Sequence, residues 1–205
     1  MPVLEELVRA EIETPVRTQV ASFAASIADA YGDAARAVLF YGSCLRADRL
    51  EGEMLDFYLI VSDYRAAYSG RWLAFANRRL PPNVFPFVHD GLQAKVAVLS
   101  ETDFARLCSI RAGDVSVWAR FAQPSRLAWR ADEAARDRTV SAIAEAPMTL
   151  FRLARPMVEQ GRQSDPDAIF RRGFELTYGA ELRAERADRP GSLLHPPPAR
   201  YPRSR

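Results

Sequence analysis

Cysteine is scarce in this sequence, and long apolar runs are absent. Cys44 and Cys108 show no CxxC spacing, which argues against a disulfide scaffold or a zinc site and fits a reducing cytoplasm. The longest nearly apolar stretches, residues 38–45 and 55–61, are far shorter than the ~20 residues that span a bilayer. No charged and then apolar leader opens the chain, so we expect no signal peptide. These absences favour a cytoplasmic protein that is not integral to a membrane.

An excess of charge of one sign is also lacking. The net charge of +2 is too small to indicate a nucleic-acid partner by itself. Its distribution is uneven, because residues 1–33 carry six acids and two arginines, whereas residues 171–205 carry eight arginines and four acids. The basic end is therefore suited to an anionic surface, whether lipid or RNA.

The hydrophobic pattern predicts a small mixed sheet followed by helices. Helical spacing indicates a helix over 15–31, and short apolar runs indicate buried strands at 37–41 and Met54–Val61. A helix over 64–80 precedes a hairpin, 83–88 with 92–99, whose turn is Asp90-Gly91. Only helices follow, at 101–108, 114–122, 131–160 with kinks or breaks at Pro147 and Pro156, and 167–186. We expect an α+β fold with a sheet domain at 1–130, a helical domain at 131–189 and a proline-rich tail at 190–205.

The motif with the most chemical content is Phe40-Tyr41-Gly42-Ser43, followed thirteen residues after Ser43 by Asp56 inside a strand. A glycine turn lets the backbone approach phosphates closely, and a serine adds a small donor. A carboxylate on the next strand supplies a hard oxygen ligand for Mg²⁺. The arrangement resembles the DNA polymerase beta superfamily of nucleotidyltransferases, which implies that family's mixed sheet, a short helix starting at Gly-Ser and Mg²⁺ as cofactor. An ordinary turn and a strand-edge salt bridge are the alternatives.

One feature of that superfamily is missing. It usually has Asp-x-Asp on the second strand, whereas this chain has Tyr58 at the second position, on the same face as Asp56. Asp63 has the opposite parity and falls past the expected end of the strand, so we expect it to be a poor replacement. The loss suggests either an inactive site or a branch of the superfamily with different chemistry.

Several blocks of the sequence resemble the phosphatidate cytidylyltransferases of the mitochondrial translocator assembly and maintenance family. In the family's order they are residues 40–63, Asn77 with 82–85, 93–100, 118–124 and 176–183. In the last block the family commonly has Gly-Asp before the arginine, where this chain has Gly-Ala-Glu. The resemblance implies transfer of CMP from CTP to phosphatidic acid, giving CDP-diacylglycerol and pyrophosphate. It also implies peripheral contact with the inner face of an anionic membrane and no nucleic-acid partner.

The same resemblance implies roles for individual residues. Asp56 is expected to be catalytic and to bind Mg²⁺. The expected substrate contacts are Tyr41, Gly42, Ser43, Arg120, Tyr178 and Arg183, with core packing or a solvated surface charge as the alternatives for the last three. A stripe of Phe170, Phe174 and Tyr178 on the last helix is the expected membrane contact, and core packing is its alternative.

Lys95 is also expected to be catalytic, because it is the only lysine and the other 27 basic residues are arginine. It follows the Asp90-Gly91 turn and matches a lysine of the resembling family. A point cation there is suited to bridge the phosphatidate anion and the α-phosphate of CTP. The alternative is a lysine that protects an edge strand from aggregation.

Two other functions stay open. One is a nucleotidyltransferase of the same superfamily that modifies a protein, an antibiotic or a tRNA end, and such enzymes usually keep the Asp-x-Asp pair. The other is a non-catalytic remnant that binds nucleotide or a partner, which the missing carboxylate supports.

A lipid acceptor fits a site with a single carboxylate. A phosphomonoester with a second pKa of about 6 is anionic at neutral pH, so it needs no general base.

Overall fold

The structure is a computed structural model that describes residues 2–45 and 50–188, except for the side chains of Pro2, Arg71 and residues 178–188. Its helices are α1 (Pro2–Ile12), α2 (Thr18–Tyr31), α3 (Tyr64–Ala67), α4 (Arg71–Arg79), α5 (Glu101–Cys108), α6 (Ser116–Phe121), α7 (Glu133–Ala154) and α8 (Pro166–Asp188). Its strands are β1 (Ala35–Tyr41), β2 (Met54–Val61), β3 (Asn83–His89), β4 (Leu92–Ser100) and β5 (Ser125–Arg130). The predicted tail at 190–205 lies outside the described residues.

The strands form one mixed sheet in the order β3-β4-β2-β1-β5. β2 and β4 are parallel, and the other neighbouring pairs are antiparallel. The predicted α+β class, with flanking helices and a helical C-terminal part, is confirmed. The hairpin is confirmed as well, since His89 pairs with Leu92 and both Asp90 and Gly91 have positive φ in the turn between them.

The central strands are buried on both faces, which explains their nearly unbroken apolar sequences. On one face is the α2 core, in which Phe23 of α2 stacks on Phe57 of β2 with their ring centres 5.3 Å apart. On the other face is the α7 core, in which Leu39 of β1 and Ile60 of β2 pack with Leu150 of α7. Helix α7 therefore contributes to the sheet's own core, and the division of the chain at residue 130 stays a prediction.

Two predicted helices are shorter than their patterns indicate. The helix expected over 64–80 is divided into α3 and α4, and the side chain of Asp63 caps α3 by accepting the N–H groups of Arg65 and Ala66. In the stretch expected to be helical over 131–160, α7 ends at Ala154 before a 3₁₀ turn that contains Pro156, so the break expected at this proline is confirmed. Pro147 does not end α7, because neighbouring apolar residues, Ala146 and Leu150 among them, are fully buried and hold this segment in the core.

Helix α1 and strand β5 are absent from the sequence prediction. Ile12 of α1 is fully buried, and Arg9 forms an ion pair of 2.9 Å with Asp137 of α7. Glu13 lies 3.4 Å from Arg136, also on α7. Two acids of residues 1–33 are thus paired with arginines within the fold, Glu13 with Arg136 and Glu11 with Arg126 at 3.7 Å. Among the described residues, no helix is both long and apolar enough to cross a bilayer.

Gly173 allows α8 to pack closely on α7. A Cβ added there would lie 2.5 Å from Cδ2 of Leu150 and 3.2 Å from Cβ of Ala154. We expect Gly173→Ala to lower the free energy of unfolding by about 1–3 kcal/mol, because this overlap outweighs the ~1 kcal/mol that alanine gains in helix propensity. Denaturant unfolding measures the change, with Gly113→Ala as the control, since nothing lies within 4 Å of a Cβ at Gly113. Unchanged stability of Gly173→Ala would contradict this helix contact.

Candidate active site

Three residues that are distant in sequence become neighbours at one end of the sheet. Tyr41, the last residue of β1, pairs with Asp56 on the antiparallel strand β2. Asp56 pairs in turn with Lys95 on the parallel strand β4. Directly paired residues share a face of the sheet, so the three form a row on the side of the α7 core. The structure thus brings together three of the residues that the sequence singled out.

The chain turns over Asp56 directly after Tyr41. Gly42 has a φ of 90°, in the left-handed region that favours glycine. A Cβ at Gly42 would lie 3.0 Å from Oδ2 of Asp56, so the backbone of the turn rests against the carboxylate. Ser43, with an exposed side chain, begins a single 3₁₀ turn over Ser43–Leu45. The short helix expected at Gly-Ser is this one turn as far as the chain is described, because residues 46–49 lie outside the described ranges.

The contact between Gly42 and Asp56 can be separated from backbone strain. Gly52 also has positive φ, at 83°, but a Cβ added there meets nothing within 4 Å. Both alanine variants should lose about 1–3 kcal/mol of stability through backbone strain. Only Gly42→Ala should also displace the Asp56 carboxylate and lower turnover by at least tenfold, as steady-state assays of the two variants will show. Equal turnover in both variants would mean that the close approach at Gly42 does not matter.

Burial disfavours the negative charge of Asp56, and two nearby positive charges partly compensate for this effect. Burial raises the pKa of the half-buried Asp56 carboxyl, and the positive charges of Arg120 and Lys95 act to lower it. The burial effect is the largest of the three, so the carboxylate is held at a cost to the folded state. A carboxyl perturbed by both burial and specific charges is typical of functional sites.

Arg120 reaches the row from helix α6. Its neighbours Ala119 and Phe121 are buried, while Arg120 itself stays partly exposed on the side of Tyr41. The guanidinium carbon lies 5.2 Å from the centre of the Tyr41 ring, a cation–π contact. The structure therefore brings Arg120 to this row, over the Tyr41 ring and near enough to Asp56 for its charge to act on the pKa of that carboxyl.

Lys95 lies on an interior strand. β4 is paired with β2 on one side and with β3 on the other, opposite Asp56 and Pro86. The alternative that Lys95 protects an edge strand from aggregation is therefore wrong, since the edge on this side of the sheet is β3. Its side chain is exposed, and its ammonium is close enough to Asp56 to act on the pKa of that carboxyl.

No second carboxylate joins Asp56 on this strand. Tyr58 occupies the second position, almost fully buried, with its ring centre 5.2 Å from that of Tyr41 and 5.1 Å from that of Phe121. Asp63 is occupied as the cap of α3, as expected for a poor replacement. In the part of the chain that the structure describes, no group of three or more His, Cys, Asp or Glu side chains could hold a metal ion.

Other predicted residues fall outside this row. Cys44, which follows Ser43, is a free and buried cysteine, and burial raises the pKa of its thiol. Tyr178 and Arg183 lie on α8, but their side chains are outside the described part of the structure. Their roles stay predictions.

Sequence reasoning missed one end of the row. Ser125, the first residue of β5, pairs with Tyr41 and is buried. Its N–H donates to Oε1 of Glu11 at 3.1 Å, so α1 closes this border of the site. The signal available was only a short apolar run, Leu127-Ala128-Trp129, between arginines, which fits a strand but also fits a loop.

Comparisons with known proteins give little beyond this geometry. No family model matches the chain, and no curated protein matches it. One solved structure to which it is similar is a nucleotidyltransferase-like protein from Exiguobacterium sibiricum 255-15, with 13% identity and a TM-score of 0.39. The match covers 82% of this chain and 53% of that one, so the chain spans about half the length of that protein. A similarity this distant does not assign a function, and the resemblance to the cytidylyltransferase family stays a prediction.

Proposed function

We propose that this protein is a nucleotidyltransferase whose substrates are CTP and phosphatidic acid and whose products are CDP-diacylglycerol and pyrophosphate. The observation that supports nucleotidyl transfer most directly is the row of Tyr41, Asp56 and Lys95 beneath the Gly42 turn. The choice of CTP and phosphatidic acid comes from the ordered sequence blocks. The enzyme would act from the cytoplasm at the inner face of the membrane.

The residues present fit a Mg²⁺ ion that binds together with the nucleotide. Proteins often hold Mg²⁺ through one or two carboxylates and leave the remaining positions to substrate phosphates and water. Asp56 is the carboxylate for this role, and the nearby charges of Lys95 and Arg120 disfavour a divalent ion until phosphates arrive. When bound, the ion would supply positive charge to the phosphates of CTP.

The reaction needs cations more than a base. An oxygen of the phosphatidate phosphate attacks the α-phosphorus of CTP and forms a new P–O bond. The bond from that phosphorus to the oxygen bridging to the β-phosphate breaks, and pyrophosphate leaves with its electron pair. Because the attacking phosphate is already anionic, the role of Lys95 and Arg120 is to offset its repulsion from the triphosphate. The exposed Lys95 is the better placed of the two for the incoming acceptor.

Radiolabelled CTP with phosphatidic acid in mixed micelles and Mg²⁺ tests the proposal. Label should appear in CDP-diacylglycerol and should not appear when Mg²⁺ is removed by chelation. The melting temperature should rise with CTP and Mg²⁺ but not with ATP or GTP. A folded protein that forms no labelled lipid across several acyl chains and responds to another nucleotide would contradict the substrate assignment.

The rival function with specific support is a non-catalytic nucleotide-binding remnant. Its support is Tyr58, which fills the second carboxylate position with a packed aromatic ring. Two measurements distinguish such a remnant from an enzyme. Its melting temperature would rise with nucleotide, and no acceptor in a panel would receive label.

A further inference from the structure

Residues 64–89 contain no aspartate or glutamate and carry four arginines, Arg65, Arg71, Arg78 and Arg79. The segment includes α3, α4 and the edge strand β3. Elsewhere on this chain arginines pair with nearby acids, as Arg9 does with Asp137 and Arg138 with Glu101. An acid-free stretch of this length therefore gives one part of the surface a concentrated positive charge.

The outward face of α4 is apolar as well as basic. Trp72 is 74% exposed and Phe75 is 64% exposed, one turn apart on the helix, and Leu80, directly after it, is 80% exposed. Among the described residues, no other tryptophan or phenylalanine has an exposed side chain. The guanidinium carbon of Arg79 lies 5.7 Å from the centre of the Phe75 ring, so charge and apolar surface are interleaved.

This exposure does not come from a loosely attached helix. Asn77 on the inward face is fully buried, donates to the carbonyl oxygen of Val98 at 3.2 Å and accepts from the hydroxyl of Tyr68 at 2.7 Å. Ala74 packs in the α2 core on the same side. The helix is thus fixed to the sheet by its polar and small residues, while its largest side chains face solvent.

We infer that α4 with Leu80 is a membrane-docking surface that binds anionic lipid bilayers. Helices that lie in a bilayer interface combine an outward tryptophan, phenylalanine or leucine with basic residues. The four arginines of the segment complement the negative surface of such a membrane. Nucleic acid would use the same charges and could stack on Trp72 and Phe75, but the aliphatic Leu80 has no ring to stack on a base. The hydrocarbon of a bilayer accommodates the side chains of Trp72, Phe75 and Leu80.

This inference differs from the sequence expectation about the last helix. On α8, Phe170 and Phe174 are partly buried against the α7 core, and the rings of Phe170 and Phe151 lie 5.9 Å apart. The docking surface does not depend on the proposed cytidylyl transfer, although a lipid acceptor would explain its presence.

Trp72 is a built-in reporter for the test. Trp118 is 5% exposed, and Trp129 is partly buried in contact with the α2 core, so a change of solvent acts mainly on Trp72. The whole protein is mixed with vesicles of phosphatidylcholine, with and without phosphatidylglycerol, in the absence of phosphatidic acid and CTP. We expect a blue shift of tryptophan emission and co-sedimentation with the anionic vesicles, both weakened by salt.

Three variants separate the contributions. Trp72→Ser combined with Phe75→Ser should weaken co-sedimentation with anionic vesicles at least tenfold, and Arg78→Gln combined with Arg79→Gln should do so severalfold. Ile110→Ser, which removes an exposed apolar side chain outside the segment, should bind as the wild type does. Wild-type binding by the Trp72/Phe75 variant would overturn the inference. So would an absence of vesicle binding by the wild type, including the case in which it shifts an RNA oligonucleotide instead. Because the vesicles contain neither substrate, failure of the proposed reaction leaves this result unaffected.

Discussion

Asp56→Asn is expected to lower nucleotidyl transfer by several orders of magnitude and, at neutral pH, to raise the melting temperature. Activity falls because asparagine keeps the shape of the side chain but removes the charge that would hold Mg²⁺ with the nucleotide. Stability rises because burial is the dominant influence on the pKa of Asp56, so the wild-type protein bears the cost of a partly desolvated carboxylate.

The stability difference should depend on pH in a defined direction. The pKa of Asp56 is raised in the folded state, so the protonated form stabilises the fold at pH values below the ordinary aspartate value of about 3.9. That contribution is lost as the pH rises through the folded-state pKa. The melting temperatures of wild type and Asp56→Asn should therefore converge in acid and separate towards neutral pH. CTP with Mg²⁺ should raise the melting temperature of the wild type alone.

Asp63→Asn is a matched control for this change. Asp63 follows the same strand, and its side chain accepts two backbone N–H groups as the cap of α3, a role that asparagine fills about equally well. We expect wild-type turnover. Retention of even a tenth of wild-type turnover by Asp56→Asn would remove Asp56 from the metal site.

The strands that could be predicted are those with local signals. β2 matches its apolar run, and the β3–β4 hairpin follows from Asp90-Gly91 between two apolar segments. β5 could not be separated from a loop, because its sequence does not alternate between polar and apolar residues; in the structure, Leu127 and Trp129 lie on either side of a register shift against β1. α1 is held by tertiary contacts of Ile12 and Arg9, which a local pattern does not contain.

The candidate site shows the same division between local and long-range information. Gly42 and Asp56 could be identified because a glycine turn and a strand carboxylate are recognisable by themselves. The pairing of Asp56 with Lys95 requires β2 and β4 to be parallel, and this depends on how the chain crosses over through α3 and α4. Likewise, the stacking of Arg120 on Tyr41 depends on how α6 packs, and sequence spacing does not encode it.

Lys95→Ala and Lys95→Arg are both expected to lose most activity, with melting temperatures close to that of the wild type. Lys95 is exposed, so neither change creates a cavity, and its direct neighbour across the strands is the Asp56 carboxylate. Arginine keeps the positive charge, but its planar, fork-shaped head is bulkier than an ammonium and does not replace it at a tight site. Steady-state assays with thermal melts of both variants measure the two effects.

Gln93→Ala provides the control on the same strand. Gln93 is exposed and lies two residues before Lys95, on the same face of β4, so its loss tests whether any change to this surface lowers activity. Wild-type turnover is expected.

Because Lys95 is the only lysine, an amine-selective acylating reagent also reports on it directly. Peptide mass spectrometry separates this reaction from that of the N-terminal amine.

Protection of Lys95 by substrate would connect the residue to binding as well as to rate. If its ammonium contacts the acceptor or the triphosphate, CTP with Mg²⁺ should slow its acylation while the N-terminal amine reacts at an unchanged rate. Full activity of Lys95→Arg would show that positive charge alone suffices beside Asp56. Full activity of Lys95→Ala, together with unprotected acylation, would remove Lys95 from the mechanism and leave Arg120 as the other cation whose charge acts on this carboxyl.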